Sequence, residues 1–84
     1  MTRPAKLYLQ LLENPSRTVA FRDFEALLLA AGFQFERQKG SHRAYRHPAV
    51  AEVLTVQPHG SEARRYQVRK FLAMMEEHGL ELEG

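Results

Sequence analysis

The sequence predicts an α+β fold in which three helices and a three-stranded antiparallel sheet follow one another in the order α-α-β-β-β-α. Apolar residues recur at helical spacing in two segments near the N-terminus and in one near the C-terminus, whereas the middle of the chain alternates polar and apolar residues as strands do. Because 84 residues suffice for one core, we expect a single domain spanning residues 1–84, with fraying at 1–3 and 81–84. We expect the helices to cover one face of the sheet and to leave the other face open.

Each predicted helix has one apolar face. The first helix covers residues 6–13, and Pro15 ends it because proline cannot continue a helix. The second helix covers about 21–31 and stops at Gly32, and the third covers about 65–78. The apolar faces consist of Leu7, Leu11 and Leu12 in the first helix, of Phe21, Phe24, Leu27, Leu28 and Ala31 in the second, and of Val68, Phe71, Leu72 and Met75 in the third.

Two hairpins build the predicted sheet. Residues 33–38 alternate phenylalanine or arginine with polar residues, which is the pattern of a half-buried strand. A tight turn at 39–41 leads into a second strand over 42–47. The third strand covers about 52–57, where β-branched residues favour extended backbone, and residues 58–61 are expected to form a loop before the last helix.

The positive charge of the chain is concentrated in its middle. Residues 37–70 contain eight basic and two acidic residues, a net charge of +6, whereas residues 1–36 are neutral and residues 71–84 carry −4. A basic segment of this kind is typical of proteins that bind polyanions such as nucleic acid. An ordinary solvated surface explains the same charges equally well.

Composition excludes several classes of function. The chain has no cysteine, so it has no disulfide and no thiolate nucleophile or metal ligand. It has no apolar run of the ~20 residues that a membrane-spanning helix needs and no signal-peptide core, so we expect a cytoplasmic protein without a membrane partner. We also expect no metal and no small-molecule cofactor, because neither a suitable carboxylate pair nor a phosphate-binding glycine loop is present.

Histidine is therefore the main candidate for chemistry. His42 opens a strand directly after a glycine turn and among cations, so it could serve as a general acid or base near a phosphate, although from its position alone a surface histidine without a role is the commoner case. Because strand residues five apart face opposite sides, His42 and His47 cannot form a pair or share a metal without a bulge. His59 is a candidate loop contact to substrate, and His78 suits a helix C-terminus.

A series of short motifs along residues 18–80 resembles the HicA toxin family. The most specific part is a Gly-Ser-His turn followed by an aromatic residue and a His-Pro pair. The full set is Gly32-Phe33, Lys39-Gly40-Ser41-His42, Tyr45-Arg46-His47-Pro48, Pro58-His59-Gly60, Tyr66-Gln67-Val68-Arg69 and Glu77-His78-Gly79-Leu80. In this resemblance, residues 18–80 form the core and the helical segment at about 4–14 is an N-terminal extension.

The resemblance implies a double-stranded-RNA-binding-domain-like fold, endoribonuclease activity on messenger RNA, and inhibition by a HicB-type antitoxin. It gives the catalytic role to His42. Two positions depart from the family pattern, because Arg43 replaces a second histidine and Arg65 replaces a frequent proline. We predict cleavage without metal, with RNA contacts from Lys39, Gly40, Ser41, Arg43, Arg46, His59, Arg64 and Arg65.

Two other functions remain open at this point. A non-catalytic RNA-binding module of the same fold would use His42 only as a contact and would bind RNA in a salt-dependent way. A pure protein-interaction domain would have no RNA affinity at moderate salt, and it leaves the basic segment without a ligand.

Overall fold

Three helices and five strands make up the protein in a computed structural model that describes residues 2–83. The elements are α1 (Arg3–Glu13), α2 (Phe21–Ala30), β1 (Gln34–Lys39), β2 (His42–Arg46), β3 (Leu54–Val56), β4 (Pro58–His59), β5 (Glu62–Ala63) and α3 (Arg65–Glu77). Strands β1, β2 and β3 form one antiparallel sheet in that order. The predicted α+β class, its α-α-β-β-β-α layout and its three-stranded antiparallel sheet are confirmed.

The core lies between the helices and one face of the sheet. Leu54 and Val56 of β3 and Tyr45 of β2 are buried on that face, together with Phe24 of α2 and Phe71 of α3. The rings of Phe24 and Phe71 meet edge to face at 5.8 Å, a favourable arrangement for aromatic pairs. Burial of each such side chain stabilises the fold by about 1.5–3 kcal/mol. The opposite face of the sheet carries the candidate site.

Strand β1 differs from its predicted burial. All six of its residues are exposed, whereas the alternation of the sequence predicts a half-buried strand. The strand lies at the edge of the sheet, and the pairing slips at Glu36, between the Phe35–Tyr45 and Arg37–Ala44 pairs. The β-bulge bends the strand. Phe35, on the edge strand, is about half exposed because no further strand covers it.

Residues 58–63 form a short hairpin, β4–β5, where the sequence predicts a loop for residues 58–61. The hairpin pairs with the chain entering α2: Ala63 N donates to Val19 O at 2.8 Å, and Phe21 N donates to Ser61 O at 2.8 Å. These partners lie some forty residues earlier in the chain, so no local pattern could reveal the pairing.

Fraying is predicted for residues 1–3 and 81–84, and it stays a prediction, but several described residues near the chain ends make defined contacts. Thr2 caps α1, because its Oγ1 accepts a hydrogen bond from Ala5 N at 3.2 Å. Near the other end, Leu80 and Leu82 pack against the core, and Glu83 N donates to Ala30 O at 2.6 Å. These two partly buried leucines and the hydrogen bond to α2 hold the last segment against the rest of the molecule. The end residues 1 and 84 lie outside the described range.

Candidate active site

Strand alternation divides the side chains of β2 between the two faces of the sheet. We call the side away from the helices the open face. His42 and Arg46 lie on it in β2, and Gln57, which contacts His42, lies on it at the end of β3. Arg43 and Tyr45 point to the helices instead. His47 also lies on the helix side, where its ring meets Phe33 edge to face at 5.1 Å. This agrees with the expectation that His42 and His47 lie on opposite faces.

His42 begins β2 directly after the turn at 40–41 and is exposed. Gly40 occupies the left-handed region there, with φ +61°, which a glycine adopts without strain. Across the hairpin His42 pairs with Lys39, the last residue of β1, so both side chains project from the same end of the open face. Ser41 lies exposed in the turn between them. A histidine and a cation thus stand side by side at the solvent surface.

On its other side, His42 contacts the side chain of Gln57. The Gln57 amide lies between His42 Nε2 and the Arg64 guanidinium. Because arginine has only donors, the amide oxygen faces Arg64, where it accepts from Nε at 2.7 Å and from Nη2 at 3.1 Å. The amide nitrogen then donates to His42 Nε2. Arg64, a predicted RNA contact, is therefore joined to His42 through one side chain.

Gln67 of α3 fixes Gln57 from behind. Gln67 is polar but buried, with 4% of its surface exposed. Its Oε1 accepts a hydrogen bond from Gln57 N at 2.9 Å. Leaving a buried backbone N–H unpaired costs about 1–3 kcal/mol, so this bond holds the end of β3 against the start of α3. The position of the His42 neighbour is thus set by the packing of α3.

A second charged group lies on β1 and β2. Glu36, in the bulge, accepts from Arg46 Nε at 2.5 Å and from Arg37 Nη1 at 3.1 Å. The hydrogen bond and charge of Arg46, followed by the charge of Arg37, outweigh desolvation and lower the pKa of Glu36. Arg46 is therefore partly neutralised, although it remains half exposed.

Arg43 lies on the helix side of the sheet, away from His42. Its Nη1 donates to both carboxylate oxygens of Glu25 in α2, at 2.8 and 2.7 Å, and its guanidinium carbon stands 5.5 Å from the centre of the Phe21 ring. The hydrogen bond and the charge of Glu25 raise the pKa of Arg43. The structure thus does not bring Arg43 to the face that carries His42.

The remaining histidines have separate surroundings. His47 Nε2 lies 3.1 Å from Ala31 O, and its Nδ1 accepts from Ala49 N at 3.0 Å, which fixes the Nε2–H tautomer. His59 is exposed in the β4–β5 hairpin, and His78 caps the C-terminus of α3. Arg65 is exposed at the first residue of α3, next to Arg64.

The sequence reasoning missed four polar residues that organise this region: Gln57, Gln67, Glu36 and Glu25. Gln67 lies in the family-like motif Tyr66-Gln67-Val68-Arg69 but received no role there, and the other three lie in none of the motifs. Gln57 ends a predicted strand two residues after Thr55, so strand alternation alone places it on the same face as its cross-strand neighbour His42. Gln67 gave a weaker signal, as a polar residue next to the core residue Val68 of the last helix.

Two absences concern the described residues only. Between residues 2 and 83, no group of three or more histidine or carboxylate side chains is placed to hold a metal ion. Within the same range, no helix combines the length and apolar character needed to cross a lipid bilayer.

A family model described as the HicA toxin of bacterial toxin–antitoxin systems matches residues 21–82. The chain belongs to the HicA toxin family. The matched range begins with α2, contains the sheet, His42, Gln57 and Arg64, and ends after α3, so α1 lies outside it. No curated protein and no solved structure shows significant similarity to this HicA-family chain.

Proposed function

We propose that this HicA-family protein is an endoribonuclease that cleaves messenger RNA without a metal ion and uses His42 as its general acid and base. The observation that carries the proposal is the position of His42 on the open face, between Lys39 across the hairpin and the Gln57–Arg64 pair. A proton-transferring group flanked by phosphate-binding cations is what cleavage of a phosphodiester requires.

The proposed reaction begins with transfer of the ribose 2′-OH proton to His42. The 2′ oxygen then bonds to the adjacent phosphorus, and the bond from phosphorus to the 5′ oxygen breaks. The protonated His42, now the general acid, returns this proton to the leaving 5′ oxygen, so the products are a 2′,3′-cyclic phosphate and a 5′-hydroxyl. Proton transfer contributes about 10²–10⁴-fold to the rate, and cations near the phosphate stabilise the charge of the transition state.

We further propose that RNA lies along the open face. The contacts on or beside this face would come from Lys39, Gly40, Ser41, Arg46, Arg64 and Arg65, with His59 reaching from its hairpin. Arg43 could contact RNA only from the other side of the sheet, and it would first have to leave Glu25. Family membership in a toxin–antitoxin system supports a protein antitoxin as partner, for which we propose a HicB-type protein in the cytoplasm.

The test compares the wild-type protein with His42→Ala and with His78→Ala, a matched loss of an exposed histidine outside the site. Single-stranded RNA is incubated with each protein in EDTA, and circular dichroism checks folding. We expect the wild type and His78→Ala to shorten the RNA, and His42→Ala to be slower by about 10²–10⁴-fold.

Two results would contradict the proposal. Equal cleavage by a folded His42→Ala variant would show that His42 is not catalytic. RNA that shifts on a gel but keeps its length with every protein would favour a non-catalytic RNA-binding module of the same fold. Expression in cells adds an independent readout, because only the wild type and His78→Ala are expected to arrest growth.

A further inference from the structure

We propose that Gln57, oriented by Arg64, is a positioning residue that makes Nε2 the proton-accepting nitrogen of His42. The inference rests on the proposed ribonuclease function for its consequence in catalysis, whereas its structural part concerns only the tautomer of His42. It starts from three side chains, His42, Gln57 and Arg64, that lie in contact on the open face.

Arg64 decides which way the Gln57 amide points. A guanidinium can only donate hydrogen bonds, so an amide beside it must present its oxygen. With this orientation the oxygen accepts two hydrogen bonds from Arg64, at 2.7 and 3.1 Å. The reverse orientation would set the amide NH₂ against the guanidinium and lose both bonds. Two charge-assisted bonds therefore hold the Gln57 side chain in one orientation.

The orientation of Gln57 in turn decides the tautomer of His42. The amide nitrogen faces His42 Nε2, and because an NH₂ group can only donate, Nε2 must be the acceptor. A neutral imidazole has one donor and one acceptor nitrogen, so the proton of neutral His42 resides on Nδ1. The hydrogen bonds from Arg64 to Gln57 and from Gln57 to His42 thus determine which nitrogen of the neutral imidazole carries the proton.

The backbone supports this chain. Gln57 directly follows β3, which pairs with β2, so Gln57 and His42 are cross-strand neighbours. The Gln57 backbone N–H is bound by the buried Gln67 of α3, and Arg64 is the residue immediately before α3. The three side chains are therefore carried by β2, by the end of β3 and by the start of α3, and the β2–β3 pairing and the Gln57–Gln67 bond restrict their relative movement.

This arrangement has a consequence for the reaction. The Gln57 amide hydrogen points at the lone pair of Nε2, and the 2′-OH of a ribose is also a donor. In the proposed reaction the substrate hydroxyl takes the place of the amide hydrogen and gives its proton to Nε2. The Nδ1–H of His42 stays available as a donor to a phosphate oxygen.

The protein contains an internal reference for the tautomer. His47 has the opposite arrangement, because its Nδ1 accepts from Ala49 N and its Nε2–H donates to Ala31 O. Long-range proton–nitrogen NMR spectra distinguish the two tautomers of neutral histidines directly. We expect the wild type to show His42 with the proton on Nδ1 and His47 with the proton on Nε2.

The decisive variant is Gln57→Glu. A carboxylate still accepts from Arg64, but toward His42 it can only accept, so His42 should carry its proton on Nε2. A purely structural role for Gln57 would not invert the tautomer. Gln57→Leu should remove the preference without imposing the opposite one, and Gln34→Leu, an exposed glutamine paired with Arg46 in β1, is the matched control that should leave it unchanged.

Cleavage of single-stranded RNA is measured on the same proteins. We expect Gln57→Glu to cleave at least about tenfold more slowly, within the ~10²–10⁴-fold that proton transfer contributes, and Gln34→Leu to match the wild type. Gln57→Leu should fall between them, because Nε2 can still accept a proton but is no longer held in place.

The outcomes separate this inference from the proposed function. A wild-type His42 with its proton on Nε2, or an unchanged tautomer in Gln57→Glu, would overturn the inference. So would an inverted tautomer with unchanged cleavage. If the tautomers follow the expectation but no protein cleaves RNA, the tautomer assignment stands and the ribonuclease proposal fails.

Discussion

At the level of single residues, Glu25 connects helix α2 to the central strand of the sheet. Its carboxylate accepts from Arg43 at 2.7 and 2.8 Å and from the Tyr45 hydroxyl at 2.7 Å, and it is mostly shielded from water. A buried carboxylate needs such partners, because an unpaired charge away from water is costly. Arg43 has thereby a structural role, which the sequence alone does not reveal.

The ionisation of Tyr45 tests this cluster. Burial, followed by the hydrogen bond and the charge of Glu25, raises the pKa of Tyr45 from 10.0 to about 12. Because the folded protein holds this proton more tightly than the unfolded chain, the stabilisation is complete below pH 10 and is lost as the pH rises through 12. Tyr45→Phe should therefore show a smaller loss of unfolding free energy over that pH interval.

Spectrophotometric titration of the phenolates checks the same prediction. The wild type should contain one component that ionises near pH 12, and Tyr45→Phe should lack it. Tyr66→Phe, at a mostly exposed tyrosine, serves as the control and should retain it. A component near pH 12 that survives in Tyr45→Phe would show that the raised pKa does not belong to Tyr45.

At the level of elements, the connection between α2 and β1 depends on Gly32. This residue has φ +91°, and a Cβ added to it would stand 3.0 Å from His47 Nε2. His47 cannot move aside freely, because both of its ring nitrogens are hydrogen-bonded to backbone groups. Position 32 therefore requires glycine for two reasons: its φ is positive, and the backbone passes too close to His47 for a side chain.

We expect Gly32→Ala to lower the free energy of unfolding by about 1–3 kcal/mol, from backbone strain and from displacement of His47. The matched variant is Gly79→Ala, where φ is +60° and no heavy atom lies within 4 Å of the added Cβ. In that variant the free energy of unfolding should fall only by the cost of placing alanine in a left-handed conformation, about 1 kcal/mol. Denaturant unfolding measures both, and an equal or smaller loss in Gly32→Ala would contradict this account.

The strands show where local pattern ceases to determine structure. Alternation predicted β1 correctly as a strand, but its burial depended on which strand lies at the edge of the sheet. Phe35 is half exposed because the sheet ends there, whereas Phe33, two residues earlier, is buried against Phe71. The hairpin at 58–63 was missed because its strands are two residues long, too short for an alternation to show, and its bridge to Ala20 before α2 is not local.

At the level of the whole molecule, the basic middle of the chain divides between two surfaces. Lys39, Arg37 and Arg46 lie on the open face with His42, whereas Arg43 is paired with Glu25 on the other side. Net charge along the sequence therefore overstates the positive charge that is present on the open face. The open face nevertheless carries more basic than acidic side chains, because Glu36 pairs with two arginines, Arg37 and Arg46.

Salt dependence of RNA binding tests this division. For single strands, each phosphate contact contributes about 0.7 to the slope of log affinity against log salt. In a His42→Ala background that leaves RNA intact, Lys39→Ala should lower the slope by about 0.7. Lys6→Ala, an exposed lysine on α1, is the control and should leave the slope unchanged. Equal slopes for both variants would mean that RNA does not lie along the open face.

The sequence by itself determined the order of helices and sheet strands, the strand that carries His42, and the opposite directions of His42 and His47. These follow from periodicity, because a helix repeats every 3.6 residues and a strand every two, whatever surrounds them. The motifs around His42 also identified the HicA family, which the match over residues 21–82 shows.

Only the tertiary structure decided how the polar side chains are paired. Gln57 meets Arg64 and Gln67 because α3 packs against the end of β3, and Arg43 meets Glu25 because it lies on the side of the sheet that faces α2. Hydrogen bonds and ion pairs form only when donor and acceptor are placed to within a few tenths of an ångström of the favourable separation, and these residues are far apart in the chain. No periodicity encodes such distances, so the tautomer of His42 and the effective charge of the open face emerge only when the elements pack.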